Sequence, residues 1–225
     1  MPNPGWFKNR LQDPFFRKAH RENYRSRAVY KLQEIQEKYQ LIRSGQKVLD
    51  LGAAPGSWTQ YAVQEAGKNG KVIGIDLLPI QPLDGASLLE GDVRDPVMQE
   101  QLRAFAPKGF DLILSDMAPN TTGVHHADAS NSVELVHLAL DLCKLWLKPG
   151  GSFVAKVFEG TDFKELHERF KKLFGFAKSF KPKASLAASR ETYLVGREFK
   201  WPPPVQVIKL DKSDPDGAPS SRTRK

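Results

Sequence analysis

Short apolar runs recur through the middle of this chain, separated by longer stretches in which apolar positions return every three or four residues. The runs fall at 47–51 (KVLDL), 71–76 (KVIGID), 86–90 (ASLLE), 110–115 (FDLILS) and 152–158 (SFVAKVF). Such runs read as strands, and the intervening 3.6-residue periodicity predicts helices over 28–39, 58–65, 97–105, 131–147 and 162–173. Asp95-Pro96 offers a capping carboxylate followed by proline at the first helical position, and Lys148-Pro149-Gly150-Gly151 stops the long helix before the next strand. Alternation of this kind gives βαβ units in a parallel sheet. Two further strands, 174–180 and 191–195, have no long helix between them and predict antiparallel pairing at one edge. The expected fold class is therefore α/β, Rossmann-like, with a mostly parallel seven-stranded sheet.

Length changes this picture little: 225 residues suit one such domain with arms. The domain is expected over 26–200, preceded by a basic and aromatic arm (1–25) that reads as outside the core, and followed by a Pro-rich tail (201–225) expected to be disordered. Charge adds more. A formal net charge of +8 points to a polyanionic partner, because Lys and Arg displace counterions condensed on phosphates. The single cysteine, Cys143, lies in an apolar stretch and reads as a buried thiol in a reducing compartment. No long apolar run indicates a membrane span. A cytoplasmic monomer is the expectation.

In open parallel sheets ligands bind beyond the carboxyl ends of the strands. Val48-Leu-Asp-Leu-Gly52-Ala-Ala-Pro-Gly56 ends the first strand there, with glycines that admit close approach of a ligand to the backbone. The turn departs from G-x-G-x-x-G, which disfavours a nicotinamide dinucleotide. Asp76, ending the second strand, can accept both hydroxyls of a ribose, and Asp92, after the third, can accept from an adenine amino group. Taken singly, each is as readily a turn or loop carboxylate. Lys156 interrupts the apolar strand Phe153-Val-Ala-Lys-Val-Phe158, where an ammonium is costly unless it reaches a site. Asp116 follows another apolar strand directly. His125 and His126 lack accompanying metal-ligating residues and read as loop residues, so no metal is expected.

Asp50-Leu-Gly-Ala-Ala-Pro-Gly56-Ser-Trp58, Asp76-Leu-Leu-Pro79, Ser115-Asp116-Met-Ala-Pro-Asn120, Val154-Ala-Lys156-Val-Phe and Ser189-Arg190-Glu191 resemble, in order, the FtsJ/RrmJ RNA 2'-O-methyltransferases over about residues 26–196. The resemblance implies a seven-stranded S-adenosylmethionine-dependent fold and a catalytic Lys-Asp-Lys-Glu set falling on Lys31, Asp116, Lys156 and Glu191. It also implies cofactor contacts at Gly56, Trp58, Asp76, Asp92 and Asp116. Ser57 departs from the pattern, standing where bacterial members commonly have a third glycine. The Ser-Asp-Met-Ala-Pro-Asn form is closer to members acting on large-subunit ribosomal RNA than to those acting on tRNA, and implies methylation of a uridine. A non-catalytic RNA-binding ribosome assembly factor on the same fold is the rival reading.

Methyl transfer from a sulfonium expels a neutral thioether, so the residues must position a ribose hydroxyl and remove its proton. Lys156 is the expected proton acceptor, oriented by Asp116 and Glu191. Lys31 is expected to place the hydroxyl and stabilise the oxygen as charge develops. Read alone, Lys31 is a solvated helical lysine and Glu191 a strand-start acid beside Arg190. The arm, with Lys171, Lys172, Lys178, Lys181 and Lys183, is expected to contact RNA by tracking phosphates and stacking on unpaired bases.

Overall fold

The computed structural model describes residues 13–186 and 189–201. Its centre is a seven-stranded sheet of β1 (Lys47–Leu51), β2 (Lys71–Asp76), β3 (Ala86–Glu90), β4 (Phe110–Ser115), β5 (Leu147–Phe158), β6 (Phe174–Phe180) and β7 (Glu191–Phe199). The strand order is β3-β2-β1-β4-β5-β7-β6. β1 through β5 pair in parallel. β7 runs antiparallel to both β5 and β6, which leaves β6 outermost. The order reverses at β1, so the crevice between the carboxyl ends of β1 and its neighbours is the switch point of the fold.

Among the described residues, six helices cover the two faces: α1 (Pro14–Arg21), α2 (Val29–Tyr39), α3 (Ser57–Ala66), α4 (Pro96–Phe105), α5 (His125–Trp146) and α6 (Phe163–Leu173). One face of the sheet packs against α4, α5 and α6 around Leu102, Val136, Leu140, Phe153 and Phe170. The other packs against α1, α2 and α3 around Ile35, Trp58, Ala62, Leu112 and Val154. Burying both faces explains why the central strands read as continuous apolar runs. Asp95 caps α4, its carboxylate accepting from the Val97 amide, as the Asp-Pro pair predicts.

Three elements differ from the sequence reading. α5 begins at His125, six residues before the predicted start, so His125 and His126 sit in its first turn. Lys148-Pro149-Gly150-Gly151 ends the helix but belongs to β5, with Gly150 at φ +78° and a register irregularity opposite Phe110 and Leu112. The arm is not wholly outside the core. Ala19 of α1 is buried, and Phe15 and Tyr24 pack on the second core cluster, because the amphipathic face of α1 finds an apolar surface on α2. The first twelve residues and the segment 202–225 lie outside the described residues.

Candidate active site

The carboxyl ends of β1, β2, β3 and β4 form a cleft of about 390 Å3. Gly52 turns the chain away from β1 at φ +73°, and a Cβ there would come within 2.9 Å of the Met117 backbone. No residue with a side chain fits that approach. The Gly52 and Ala53 amides donate to the Ile75 carbonyl, and Asp76 accepts from the Ala54 and Leu78 amides, each at 2.9 Å. Asp76 thus joins the glycine turn to the far wall. Both of its oxygens keep a second lone pair for a ligand. Asp76, Asp92 and Asp116 all line the cleft, with apolar walls from Leu77, Leu78, Leu135 and Leu138.

Two of the residues assigned to the cofactor by resemblance occupy other places. Gly56 caps the start of α3 at φ +107° and lies against the Arg25 side chain. The Trp58 ring is buried in the second core cluster, its Nε1 donating to the Ala28 carbonyl at 2.8 Å and its ring 5.7 Å from that of Tyr193. Neither lines the cleft. The Trp58 side chain is committed to packing, which leaves only its backbone for ligand contact. Asp92 carries a forked ion pair with Arg94, and the hydrogen bonds from Arg94 hold its carboxyl below the usual range.

The four residues assigned to catalysis form two lysine–carboxylate pairs. Lys156 Nζ lies 3.0 Å from Asp116 Oδ1 and donates to the Asp116 carbonyl at 2.6 Å. Lys31 Nζ lies 2.7 Å from Glu191 Oε2. Sheet register brings them to one edge: Lys156 on β5 faces Tyr193 on β7, and Phe158 faces Glu191. Lys156 and Glu191 therefore share a face of the sheet, and α2 supplies Lys31 from that side. All four side chains are at most one-fifth exposed, so the charges interact through a medium less polar than water.

Four participants have no role assigned by the sequence. Tyr193 is fully buried and donates to Asp116 Oδ1 at 3.2 Å. Burial first, then the Asp116 and Glu191 charges, push its hydroxyl well above the usual range, so it is a neutral donor. Its signal was its position two residues beyond Glu191. Ser185 donates to Glu191 Oε1 at 2.6 Å, and its turn is held by Glu34, which accepts from the Lys183 and Ala184 amides. Asp128 accepts from the Thr122 amide and hydroxyl and from the Gly123 amide, anchoring the loop that follows Asp116. Asp50, fully buried on β1, accepts from Thr59 Oγ1 at 2.7 Å. Burial raises its pKa to about 7, with Asp116 and Asp76 adding to the rise against the Thr59 hydrogen bond.

The FtsJ-like methyltransferase family model matches residues 24–199. The chain belongs to that family. Among curated FtsJ-like relatives, the Ribosomal RNA large subunit methyltransferase E of Variovorax paradoxus is 44% identical over 207 residues, covering 88% of this chain and 93% of the relative. The protein of the same name from Leptothrix cholodnii is 45% identical over 212 residues, covering 88% and 91%. A solved Plasmodium falciparum structure described as a ribosomal RNA methyltransferase superposes with a TM-score of 0.72 at 31% identity, over 80% of this chain and all of its own. As an FtsJ-like methyltransferase, the protein has an acidic, glycine-lined cleft on β1–β4 and two lysines beyond its β4 wall. The cleft offers a ligand the Asp76, Asp92 and Asp116 carboxylates between apolar walls.

Proposed function

We propose that this methyltransferase transfers the methyl group of S-adenosylmethionine to the ribose 2'-hydroxyl of a uridine in large-subunit ribosomal RNA. The observation that carries the reading is Lys156, a largely buried lysine held by both the side chain and the carbonyl of Asp116 at the end of the cleft. When bound, S-adenosylmethionine supplies an electrophilic methyl carbon on a sulfonium. Asp76 and the Gly52 turn would hold the nucleoside part of the donor, and Asp116 joins that cleft to Lys156. Lys156 is the group placed to accept the proton of the ribose hydroxyl, and the donor would leave as a neutral thioether once its methyl had passed to that oxygen. Asp116 and the Tyr193 hydroxyl fix the approach of Lys156. Lys31, paired with Glu191, stabilises the acceptor oxygen as it gains charge.

Large-subunit ribosomal RNA is favoured over tRNA by the names of the curated relatives. Retention of both lysine–carboxylate pairs favours an enzyme over a non-catalytic assembly factor. The buried thiol of Cys143 suits a reducing cytoplasm. Arg17 and Arg21 on α1, with Lys181 and Lys183, are exposed and suited to phosphates. Arg25 and Arg27 are not free for RNA. Arg25 donates to the Pro55, Gln81 and Pro82 carbonyls, and Arg27 pairs with Asp13 and the Ala184 carbonyl.

The test supplies methyl-labelled donor with undermethylated large subunits, free ribosomal RNA and tRNA, followed by nucleoside analysis. Label is expected in 2'-O-methyluridine from the large-subunit RNA, falling at least ~100-fold in Lys156→Ala with donor affinity retained. Label on a base, label confined to tRNA, or undiminished turnover in Lys156→Ala would overturn it.

A further inference from the structure

We propose a second RNA-binding site at the sheet edge opposite the catalytic lysines, which takes phosphodiester groups of the substrate RNA remote from the methylated nucleotide. The inference rests on the RNA methyltransferase reading. At the amino-terminal ends of β1, β4 and β5, a polar cleft of about 350 Å3 is lined by Arg43, Lys148 and Arg197. Every strand that contributes to the donor cleft does so from its other end, so this is a separate cleft.

Its charges are unevenly matched. Asp111 also lines the cleft, but its oxygens are engaged by Lys148 Nζ at 2.6 Å and the Lys47 amide at 2.8 Å. Glu198 is exposed and also lines it. Neither Arg43 nor Arg197 has a carboxylate partner among the described residues. The Arg197 guanidinium lies 4.5 Å from the centre of the Phe176 ring, and its Nε is buried without a partner. A planar guanidinium held over a ring is pre-organised for phosphate. Walls of charged and amide groups suit such an anion better than an apolar ligand.

A strip of aromatic rings and cations connects this cleft to the catalytic edge. Tyr39 meets Phe176 and Phe180 edge-on at 5.8 and 5.7 Å, and Lys38 Nζ lies 4.6 Å from the centre of the Phe180 ring. Because β7 is antiparallel to both neighbours, β6 runs in the direction of β5, with Phe180 at the catalytic edge and Phe176 toward the second cleft. β6 spans roughly 20 Å. RNA leaving the catalytic lysines along the exposed side of β6 meets Lys38 and Lys178, then Arg197 and Arg43. Cations interleaved with aromatic rings are the surface that suits unpaired RNA.

The test compares wild type with the double variant Lys38→Glu/Arg43→Glu, both positions outside the catalytic set, on three substrates. They are a short oligoribonucleotide carrying only the target loop, free full-length large-subunit ribosomal RNA, and undermethylated large subunits. KM for the long RNA is expected to rise about tenfold, and the log–log salt slope of its binding to fall by roughly one to two. The kcat/KM on the oligonucleotide and donor affinity are expected to stay unchanged. Equal losses on both RNAs, or an unchanged KM for the long one, would overturn the second site. So would a defect on intact subunits but not on naked RNA, which would assign the cleft to protein. Absence of transfer by the wild type to any of the three substrates would overturn the underlying reading instead.

Discussion

Asp50 shows how one buried group can tie stability to pH. Its carboxyl ionises near pH 7 in the fold, against about 4 in the unfolded chain. Between those values the native state keeps a proton that the unfolded chain has released. Stability therefore falls as pH rises through about 4 to 7 and levels off above, by an amount on the order of 4 kcal/mol. Asp50→Asn is expected to flatten that dependence and to raise the melting temperature by several degrees at pH 8 while changing it little at pH 4. Thermal unfolding at both pH values checks this; a variant that keeps the wild-type slope would remove Asp50 as its source. At the same scale, Lys156 was legible in the sequence because an ammonium inside an apolar strand has a cost that only a site explains. Tyr193 and Ser185 were not, because a tyrosine in a strand and a serine in a loop cost nothing by themselves. Only register and loop closure bring them to Asp116 and Glu191.

At the scale of elements, the turn from β1 into α3 depends on Gly52. Alanine there would hold a left-handed backbone at about 1–2 kcal/mol and drive its Cβ against the Met117 backbone. Gly52→Ala is expected to weaken donor binding at least ~10-fold, because relief of that contact moves Met117 and with it a wall of the cleft. Calorimetric titration with S-adenosylmethionine decides it, and an unchanged Kd would show that the turn tolerates the side chain. The loop after Asp116 offers a second element-scale expectation. Asp128→Asn exchanges a carboxylate accepting three hydrogen bonds for an amide that cannot accept them all. Turnover is expected to fall about tenfold while the fold survives, measured as kcat at saturating donor alongside circular dichroism; full turnover would exclude an anchoring role. Pattern reading found seven strands and five helices, since periodicity reports burial directly. It missed α1 because the helix is short and basic and is stabilised by the surface it covers. It began α5 late because the polar first turns of that helix are held by Asp128 and by the His126–Thr161 hydrogen bond, which are tertiary contacts.

At the scale of the molecule, the charge balance predicts how binding responds to salt. About five phosphate contacts would lower RNA affinity roughly 100-fold between 50 and 200 mM salt, whereas donor affinity, set inside the cleft, would change little. Filter binding across that range checks both; a flat response for RNA would mean that the basic surface does not meet phosphates. The sequence by itself determined the alternation of strands and helices, the glycine turn after β1, and the order of the motifs, because these rest on local periodicity and on residue types with few substitutes. The tertiary structure alone decided the partners. It paired Lys31 with Glu191 across 160 positions and Lys156 with Asp116 across 40, turned the Trp58 ring into the core, and bound Arg25 and Arg27 to backbone carbonyls. It also placed Arg43 and Arg197 in one cleft. Such contacts join residues far apart in the chain, and their geometry is fixed by how the sheet is ordered and how each helix lies on it, which no local pattern encodes.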